Sequence, residues 1–101
     1  MALTPEAKVK AQVKKILDAH KAYYFLPATG GYGRSGVPDI VCCHKGRFIG
    51  IEVKAGNNTP TALQLRELQR INDAGGVALW VNENTLEKLR TVMTLLTGET
   101  T

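Results

Sequence analysis

Two runs of strand-forming residues, separated by only two positions, constrain the fold more than any other feature of this sequence. The runs span 38–44 and 47–54, and both are rich in β-branched side chains, with Lys45-Gly46 between them. A two-residue connection predicts an antiparallel hairpin in which each residue before the turn faces its counterpart after it. Counting back along both strands then places Asp39 directly opposite Glu52.

Two acids and one amine meet on one face of this predicted hairpin. Because side chains alternate along a strand, Lys54 lies on the face of Glu52, and Asp39 stands across from it. Opposed like charges repel, and hard divalent cations prefer oxygen ligands such as carboxylates. The pattern therefore indicates a divalent-metal centre, and it resembles the centre of metal-dependent nucleases. The competing interpretation is a surface salt-bridge cluster of little energetic weight.

Three segments of the chain show apolar residues at helical spacing. The first begins at Thr4-Pro5, with Thr as the cap and Pro at the first helical position, and Thr59-Pro60 has the same roles for the second. A third helix follows Asn84 or Thr85, and the tail from Gly98 is expected to fray. In the second helix the apolar residues at this spacing are Leu65, Leu68 and Ile71.

The remaining runs complete a sheet. A short strand is expected from Ala22 to Leu26, and the unbroken apolar run 77–81 predicts a strand covered on both faces, at the centre of the sheet. A right-handed crossover would make that run parallel to the Glu52 strand. The sequence thus predicts one α/β domain over 1–101. Its core has the order αβββαβ, with a mixed four-stranded sheet flanked by helices, and an extra C-terminal helix follows.

The charge balance favours polyanionic partners. Thirteen Lys and Arg against nine Asp and Glu give a formal net charge of +4. The sequence contains no apolar run of membrane-spanning length, and its charged start is unlike a signal sequence, so we expect a soluble, cytoplasmic protein without a membrane partner. Adjacent Cys42 and Cys43 face opposite sides of a strand, and we expect both to be reduced core residues, with His44 exposed at the turn.

A glycine-rich loop precedes the Asp39 strand and ends beside the predicted centre. It spans 29–36, and such a loop can bring backbone amides, a guanidinium and an aromatic ring close to a sugar-phosphate chain. Arg34 is the best single candidate to bind phosphate. A plain flexible connection is the alternative. The full set of candidate nucleic-acid contacts is Arg34, Tyr32, Ser35, Gly33 and, on the lysine-rich face of the first helix, Lys8.

Several of these motifs together resemble a known family. Gly36-Val37-Pro38-Asp39, Glu52-Val53-Lys54, Gln64 and Ala74-Gly75-Gly76 resemble the virus-type replication-repair nuclease (VRR-NUC) domain of the PD-(D/E)XK nuclease superfamily. The similarity runs from the first helix to the Trp80 strand.

The resemblance implies a role for each matching residue. Asp39 and Glu52 would bind Mg²⁺ or Mn²⁺ with the backbone carbonyl of Val53, and Lys54 would position or activate the attacking water. Glu6 in the first helix would be a further metal ligand, although the helix dipole alone also explains an acid there. Gln64, expected to share the inward stripe of its helix, would assist catalysis by hydrogen bonding.

The function implied is a structure-selective DNA endonuclease, with branched DNA such as flaps or four-way junctions as the substrate. A junction has twofold symmetry, so a homodimer with two matched sites is the expected assembly. Two alternatives remain. One is a nucleic-acid-binding module with the same fold that does not cleave or needs a partner. The other is an assembly protein that binds a partner through its basic face.

Overall fold

The computed structural model describes residues 3–28 and 34–98, which form a four-stranded sheet and three α-helices. The predicted α/β class is confirmed. The expected frayed tail begins at Gly98, which the structure describes as the C-cap of the last helix, and its remaining residues, 99–101, lie outside the described residues. No helix in the described part of the chain is both long and apolar enough to cross a membrane. In chain order the elements are α1 Pro5–Ala19, β1 Tyr23–Phe25, β2 Ile40–His44, β3 Arg47–Val53, α2 Ala62–Asp73, β4 Val77–Val81 and α3 Leu86–Thr97.

The predicted hairpin is confirmed in its register. β2 and β3 pair antiparallel with His44 opposite Arg47. Lys45 and Gly46 both have positive φ, 52° and 78°, which is the backbone of the type I′ turn that suits a two-residue hairpin. β2 begins at Ile40, two residues later than the predicted start at Pro38. Proline has no N–H to donate, and the Val53 N–H of β3 bonds to the Asp39 side chain instead of a backbone carbonyl.

β4 lies at an edge of the sheet, so the prediction of a central strand is wrong. The strand order is β1-β2-β3-β4, and among the described strands β4 pairs with β3 alone, in the parallel direction that the crossover predicts. Its apolar run is explained by coverage from both faces. Val77 and Leu79 pack against the main core, and α2 packs on the other side. An unbroken apolar run therefore indicates that both faces of a strand are covered. It does not indicate whether the strand lies at the centre or at the edge of the sheet.

The main core lies on one face of the sheet, beneath α1 and α3. Thr4 caps α1 by accepting a hydrogen bond from the Ala7 N–H, with Pro5 at the first helical position, as predicted. Burying a large aliphatic side chain contributes about 1.5–3 kcal/mol, so this layer is the main source of stability. Its fully buried members are Val13, Leu17, Ile40, Cys42, Ile49, Ile51, Val53, Val81, Leu89 and Met93.

His44 is buried, contrary to the expectation of an exposed turn residue. Alternation along β2 turns its ring toward the core face, where Nε2 lies 3.1 Å from the Thr97 hydroxyl of α3. Burial lowers the pKa of His44. Cys42 and Cys43 are free thiols on opposite faces, as predicted, but only Cys42 belongs to the core, and Cys43 is exposed.

α2 begins two residues later than predicted. Thr61, and not Thr59, is the cap: its hydroxyl accepts from the Gln64 N–H, and the Gln64 side chain accepts from the Thr61 N–H. This reciprocal capping box satisfies two backbone donors and so outcompetes Thr59-Pro60 as the start of the helix. Leu65 lies on the exposed side of α2, whereas Leu68 is buried.

α2 packs close against the second face of the sheet, on the β3 and β4 side. Gly50 allows this approach: a Cβ at that position would lie 2.7 Å from Ile71 Cδ1 and 2.9 Å from Pro38 Cγ. The second face therefore has two parts. Its β3–β4 half is covered by α2, and side chains of β1 and β2 on the same face extend beyond the helix.

Candidate metal centre

The hairpin brings Asp39, Glu52 and Lys54 together on the second face of the sheet. Ile40 pairs with Ile51, so the next step of the antiparallel register sets Asp39 across from Glu52. The Lys54 N–H donates to the Val81 carbonyl at 2.9 Å and carries the parallel ladder one residue beyond β3. Lys54 therefore keeps the strand alternation and lies on the face of Glu52, as predicted.

Asp39 uses its two carboxylate oxygens differently. Oδ2 accepts a hydrogen bond from the Val53 N–H at 2.8 Å, in place of a backbone partner from the end of β2. Oδ1 lies 3.8 Å from the Lys10 ammonium. One oxygen thus completes the sheet, and the other faces the centre.

Glu52 is a buried carboxylate that is only half satisfied. Its side chain is 2 % exposed, and Oε2 lies 3.4 Å from the Lys54 ammonium. Oε1 is buried and has no hydrogen-bond partner within the described residues. Burial raises the pKa of Glu52 to about 7; the Asp39 carboxylate acts in the same direction, and the Lys54 ammonium opposes both. A cation at Oε1 would remove the cost of this unsatisfied oxygen.

The Val53 carbonyl points toward the same place. A trans peptide directs its C=O and the following N–H to opposite sides. Because the Lys54 N–H points to β4, the Val53 carbonyl points to the β2 side, where Asp39 lies. This carbonyl and the side chains of Asp39 and Glu52 therefore lie at the same end of the β2–β3 pair. This all-oxygen set fits Mg²⁺ or Mn²⁺ better than a softer metal.

Lys10 is a residue of the centre that the sequence did not single out. Its ammonium lies 3.8 Å from Asp39 Oδ1 and 3.6 Å from Glu6 Oε2. The charged face of a surface helix is usually solvated, whereas Lys10 of α1 reaches Asp39 at the end of the sheet. The i,i+4 spacing from Glu6 was the available signal, because Glu6 itself was already assigned to the site.

Glu6 is connected to the centre through Lys10. It lies in the first turn of α1, and its described ion pair is the one with Lys10. Within the described residues no group of three or more His, Cys, Asp or Glu side chains is placed to hold a metal ion. Glu6 therefore does not form a three-carboxylate cluster with Asp39 and Glu52, and its role as a metal ligand stays a prediction.

Gln64 is half-buried at the start of α2, where its carboxamide oxygen accepts from the Thr61 N–H at 2.9 Å. The capping box thus occupies the oxygen of this side chain. Its catalytic role stays a prediction.

Arg34 has an ion-pair partner that the sequence did not suggest. Its Nη2 lies 3.0 Å from Oε2 of Glu67, a buried glutamate on α2. Arg70 approaches the same oxygen at 3.7 Å. Glu67 lies one turn after Gln64, on the face of α2 that looks to the sheet, and this spacing was the signal for it. Of the other predicted nucleic-acid contacts, Ser35 and Lys8 are exposed, and Tyr32 and Gly33 lie outside the described residues.

Two solved structures share this architecture. One, described as a VRR_NUC domain, is 25% identical to this chain and covers 96% of it and 98% of its own length, with a TM-score of 0.69. The other, described as a VRR_NUC domain protein, is 16% identical, covers 95% of this chain and 90% of its own, and has a TM-score of 0.68, a likeness of fold alone. The sequence matches no protein-family model and no curated protein. The fold that the sequence motifs predicted is thus confirmed along nearly the whole chain.

Proposed function

We propose that this chain, whose fold is that of a VRR-NUC domain, hydrolyses phosphodiester bonds of DNA with Mg²⁺ or Mn²⁺ as its cofactor. The observation that carries the proposal is the buried Oε1 of Glu52, which lacks a hydrogen-bond partner in the described part of the chain and lies beside a second carboxylate. A salt-bridge cluster that served stability alone would be poorly built this way. Burying a carboxylate without full pairing costs more than an exposed ion pair returns.

Each residue of the centre would have a distinct task. Asp39, Glu52 and the Val53 carbonyl would hold the cation, which would supply charge neutralisation at the scissile phosphate and lower the pKa of a coordinated water. The Lys54 ammonium, 3.4 Å from Glu52, would donate a hydrogen bond to the attacking water or to a phosphate oxygen. Gln64 cannot carry a proton, so its task would be hydrogen bonding through its amide N–H group.

The proposed substrate is branched DNA, recognised by its shape and backbone. Phosphate contacts position a protein on DNA without reading its sequence, and the net charge of +4 suits such contacts. The candidates among the described residues are Lys8, Ser35 and Arg34. Arg34 would leave its ion pair with Glu67 to bind a phosphate group. Four-way junctions and flaps follow from the VRR-NUC resemblance. We further propose a cytoplasmic homodimer, because two matched sites suit the twofold symmetry of a junction.

The test is cleavage of a labelled panel of DNA substrates. A duplex, a single strand, a flap and a four-way junction would each be incubated with Mg²⁺, Mn²⁺ or EDTA. Asp39→Asn is the matched variant, because its amide oxygen still accepts from the Val53 N–H while the charge is lost. We expect metal-dependent cleavage by the wild type, lost in the variant. Cleavage that survives in EDTA or in Asp39→Asn would refute the proposal.

One observation favours the alternative of a binding module that does not cleave. Lys10 already compensates the charge of Asp39 without any metal. Calorimetric titration of the wild type with Mn²⁺ separates the two functions. Saturable binding that is lost in Asp39→Asn supports the nuclease, and DNA binding without metal binding supports the module.

A further inference from the structure

Three exposed aromatic side chains share the second face of the sheet. Tyr23 is 72 % exposed, Phe25 51 % and Phe48 46 %. The register aligns Tyr23, Cys43 and Phe48 across three strands, so their side chains point to the same face, and Phe25 lies two residues along β1 from Tyr23. Clustered exposed apolar side chains of this kind usually mark an interaction surface.

This aromatic face, defined as Tyr23, Phe25 and Phe48, continues the surface that carries the metal centre. On β3 the way from Phe48 to Glu52 is closed at Gly50, where Ile71 and Pro38 cover the sheet. The open route runs along β2, where Val41 lies two residues after Asp39 on the same face and pairs with Phe25 of β1. A strand rises about 3.3 Å per residue, so the Cα atoms of Asp39 and Val41 lie roughly 7 Å apart. Stacked DNA rises about 3.4 Å per nucleotide, so a strand held at the centre reaches the aromatic face within about four nucleotides.

Cationic side chains flank the aromatic face at both ends. Lys21 and Lys45 line a 430 Å³ cavity together with Tyr23 and Cys43. Arg34 and Arg70 line a 390 Å³ cavity together with Phe48. Among the described residues that line these cavities, the one acid is Glu67, which is buried and already paired with both arginines.

This distribution of charge favours a polyanion over a second copy of the chain. A twofold self-interface places the same patch of two molecules in contact, so it would bring the lysines and arginines of one copy close to those of the other. Bases of single-stranded DNA stack on aromatic rings, and the phosphates between them are neutralised by nearby cations. A paired duplex keeps its base faces inside its own stack and offers only the phosphates.

We infer that the aromatic face is a stacking platform for unpaired bases of a DNA strand, with Lys21 and Lys45 at one end and Arg34 and Arg70 at the other as phosphate contacts. The inference rests on the proposed function, because it extends the same substrate across the sheet. It supplies a physical basis for preferring flaps and junctions. Next to a flap or a branch point, bases can leave the DNA double helix and stack on the aromatic face while the backbone of the same strand lies at the metal centre.

Binding in EDTA tests the platform without cleavage. The double variant Tyr23→Ala/Phe25→Ala and the single variant Phe48→Ala would be titrated against a single strand and a blunt duplex, each labelled with fluorescein. Leu95→Ala is the control, because Leu95 is equally exposed but lies on α3, beneath the other face of the sheet. We expect the aromatic variants to weaken single-strand binding at least tenfold and duplex binding less than twofold, with no change for Leu95→Ala.

A spectroscopic measurement keeps the test independent of affinity. A single strand that contains 2-aminopurine should lose fluorescence on binding to the wild type through stacking, and much less on binding to Phe48→Ala. Three results would each overturn the platform. The aromatic variants could lose equal affinity for the single strand and the duplex. Phe48→Ala could quench 2-aminopurine as strongly as the wild type does, or the aromatic substitutions could convert a dimer into a monomer in sedimentation. Platform binding without cleavage in Mg²⁺ or Mn²⁺ would refute the nuclease proposal and leave the platform standing.

Discussion

Glu52 carries a buried charge that the folded chain tolerates poorly without a metal. Burial raises its pKa from 4.5 to about 7, so between these values the native state binds more protons than the unfolded chain does. The stability that this proton uptake contributes is fully present below about pH 4.5. It is lost as the pH rises through about 7.

The first prediction concerns this loss. In EDTA, the free energy of unfolding of the wild type should fall between pH 5 and pH 8 relative to that of Glu52→Gln, by on the order of 3 kcal/mol. Urea unfolding at each pH measures the difference. Saturating Mn²⁺ should restore stability to the wild type at pH 8 and leave Glu52→Gln nearly unchanged. Parallel pH profiles for the two proteins would contradict the assignment.

The second prediction concerns Lys10, whose ammonium lies near the carboxylate that would hold the cation. Lys10→Met should strengthen Mn²⁺ binding by about fivefold, because one competing charge is removed from a partly buried position. Lys8→Met is the matched control, since it removes the same charge from an exposed position on the same helix. Equal effects of the two variants in calorimetric titration would show that only the overall charge matters.

The third prediction concerns Lys54. Lys54→Met should lower the rate of cleavage by about 10²- to 10⁴-fold, because a donor aimed at the developing charge is lost. Mn²⁺ binding should persist, since both carboxylates and the Val53 carbonyl remain. Single-turnover cleavage and metal titration on the same protein measure the two effects. A variant that still cleaves at the wild-type rate would remove Lys54 from the reaction.

At the scale of residues, sequence patterns predicted the charged side chains that the strand period brings together. Asp39, Glu52 and Lys54 follow from a two-residue turn and alternation. Lys10 and Glu67 do not follow, because their partners lie on other elements, and their positions depend on how a helix is rotated and placed against the sheet. His44 was misjudged because its turn position suggested exposure, whereas α3 covers it.

At the scale of elements, α2 covers part of the second face of the sheet through a close approach to β3. Gly50 has no side chain, and Ile71 and Pro38 fill the space that a Cβ would take. The sequence predicted the helix and the parallel strand after it. It did not predict the edge position of β4, because periodicity and composition report burial on the two faces and carry no information on lateral neighbours.

The fourth prediction tests this approach. Gly50→Ala should destabilise the protein by about 1–3 kcal/mol, because the new methyl group overlaps Ile71 Cδ1 and Pro38 Cγ. Adding Ile71→Val removes the nearer of the two obstacles, so the double variant should be more stable than the sum of the single effects allows. Urea denaturation of the wild type, Gly50→Ala, Ile71→Val and the double variant gives the four free energies of unfolding of this double-mutant cycle. Additive losses would show that the helix moves away as a unit.

At the scale of the whole molecule, function is arranged around the two faces of one sheet. α1 and α3 bury the first face and supply the core. The second face carries the candidate centre, the helix α2 and the aromatic face side by side. Within the described residues, the candidate centre and the proposed platform therefore share one surface.

The fifth prediction concerns assembly. If the proposed homodimer forms, sedimentation equilibrium at micromolar concentration should give twice the mass of one chain, and a four-way junction should be cut symmetrically in two strands. Because the aromatic face is assigned to DNA, Phe48→Ala should leave the mass unchanged. A monomer that cuts flaps in one strand would replace the junction by the flap as the preferred substrate.

The hydrogen bond from the Val53 N–H to Asp39 has a consequence for the history of such chains. Selection would maintain Asp39 for two reasons. One is its proposed role in metal binding, and the other is its hydrogen bond to Val53, which ends the pairing of β2 with β3 whether or not the protein cleaves DNA. Glu52 is maintained for the first reason alone, and an apolar replacement would relieve a buried charge. A related protein that has lost catalysis should therefore lose Glu52 early and keep Asp39 for much longer. An aspartate at this position is consequently a weak indicator of nuclease activity.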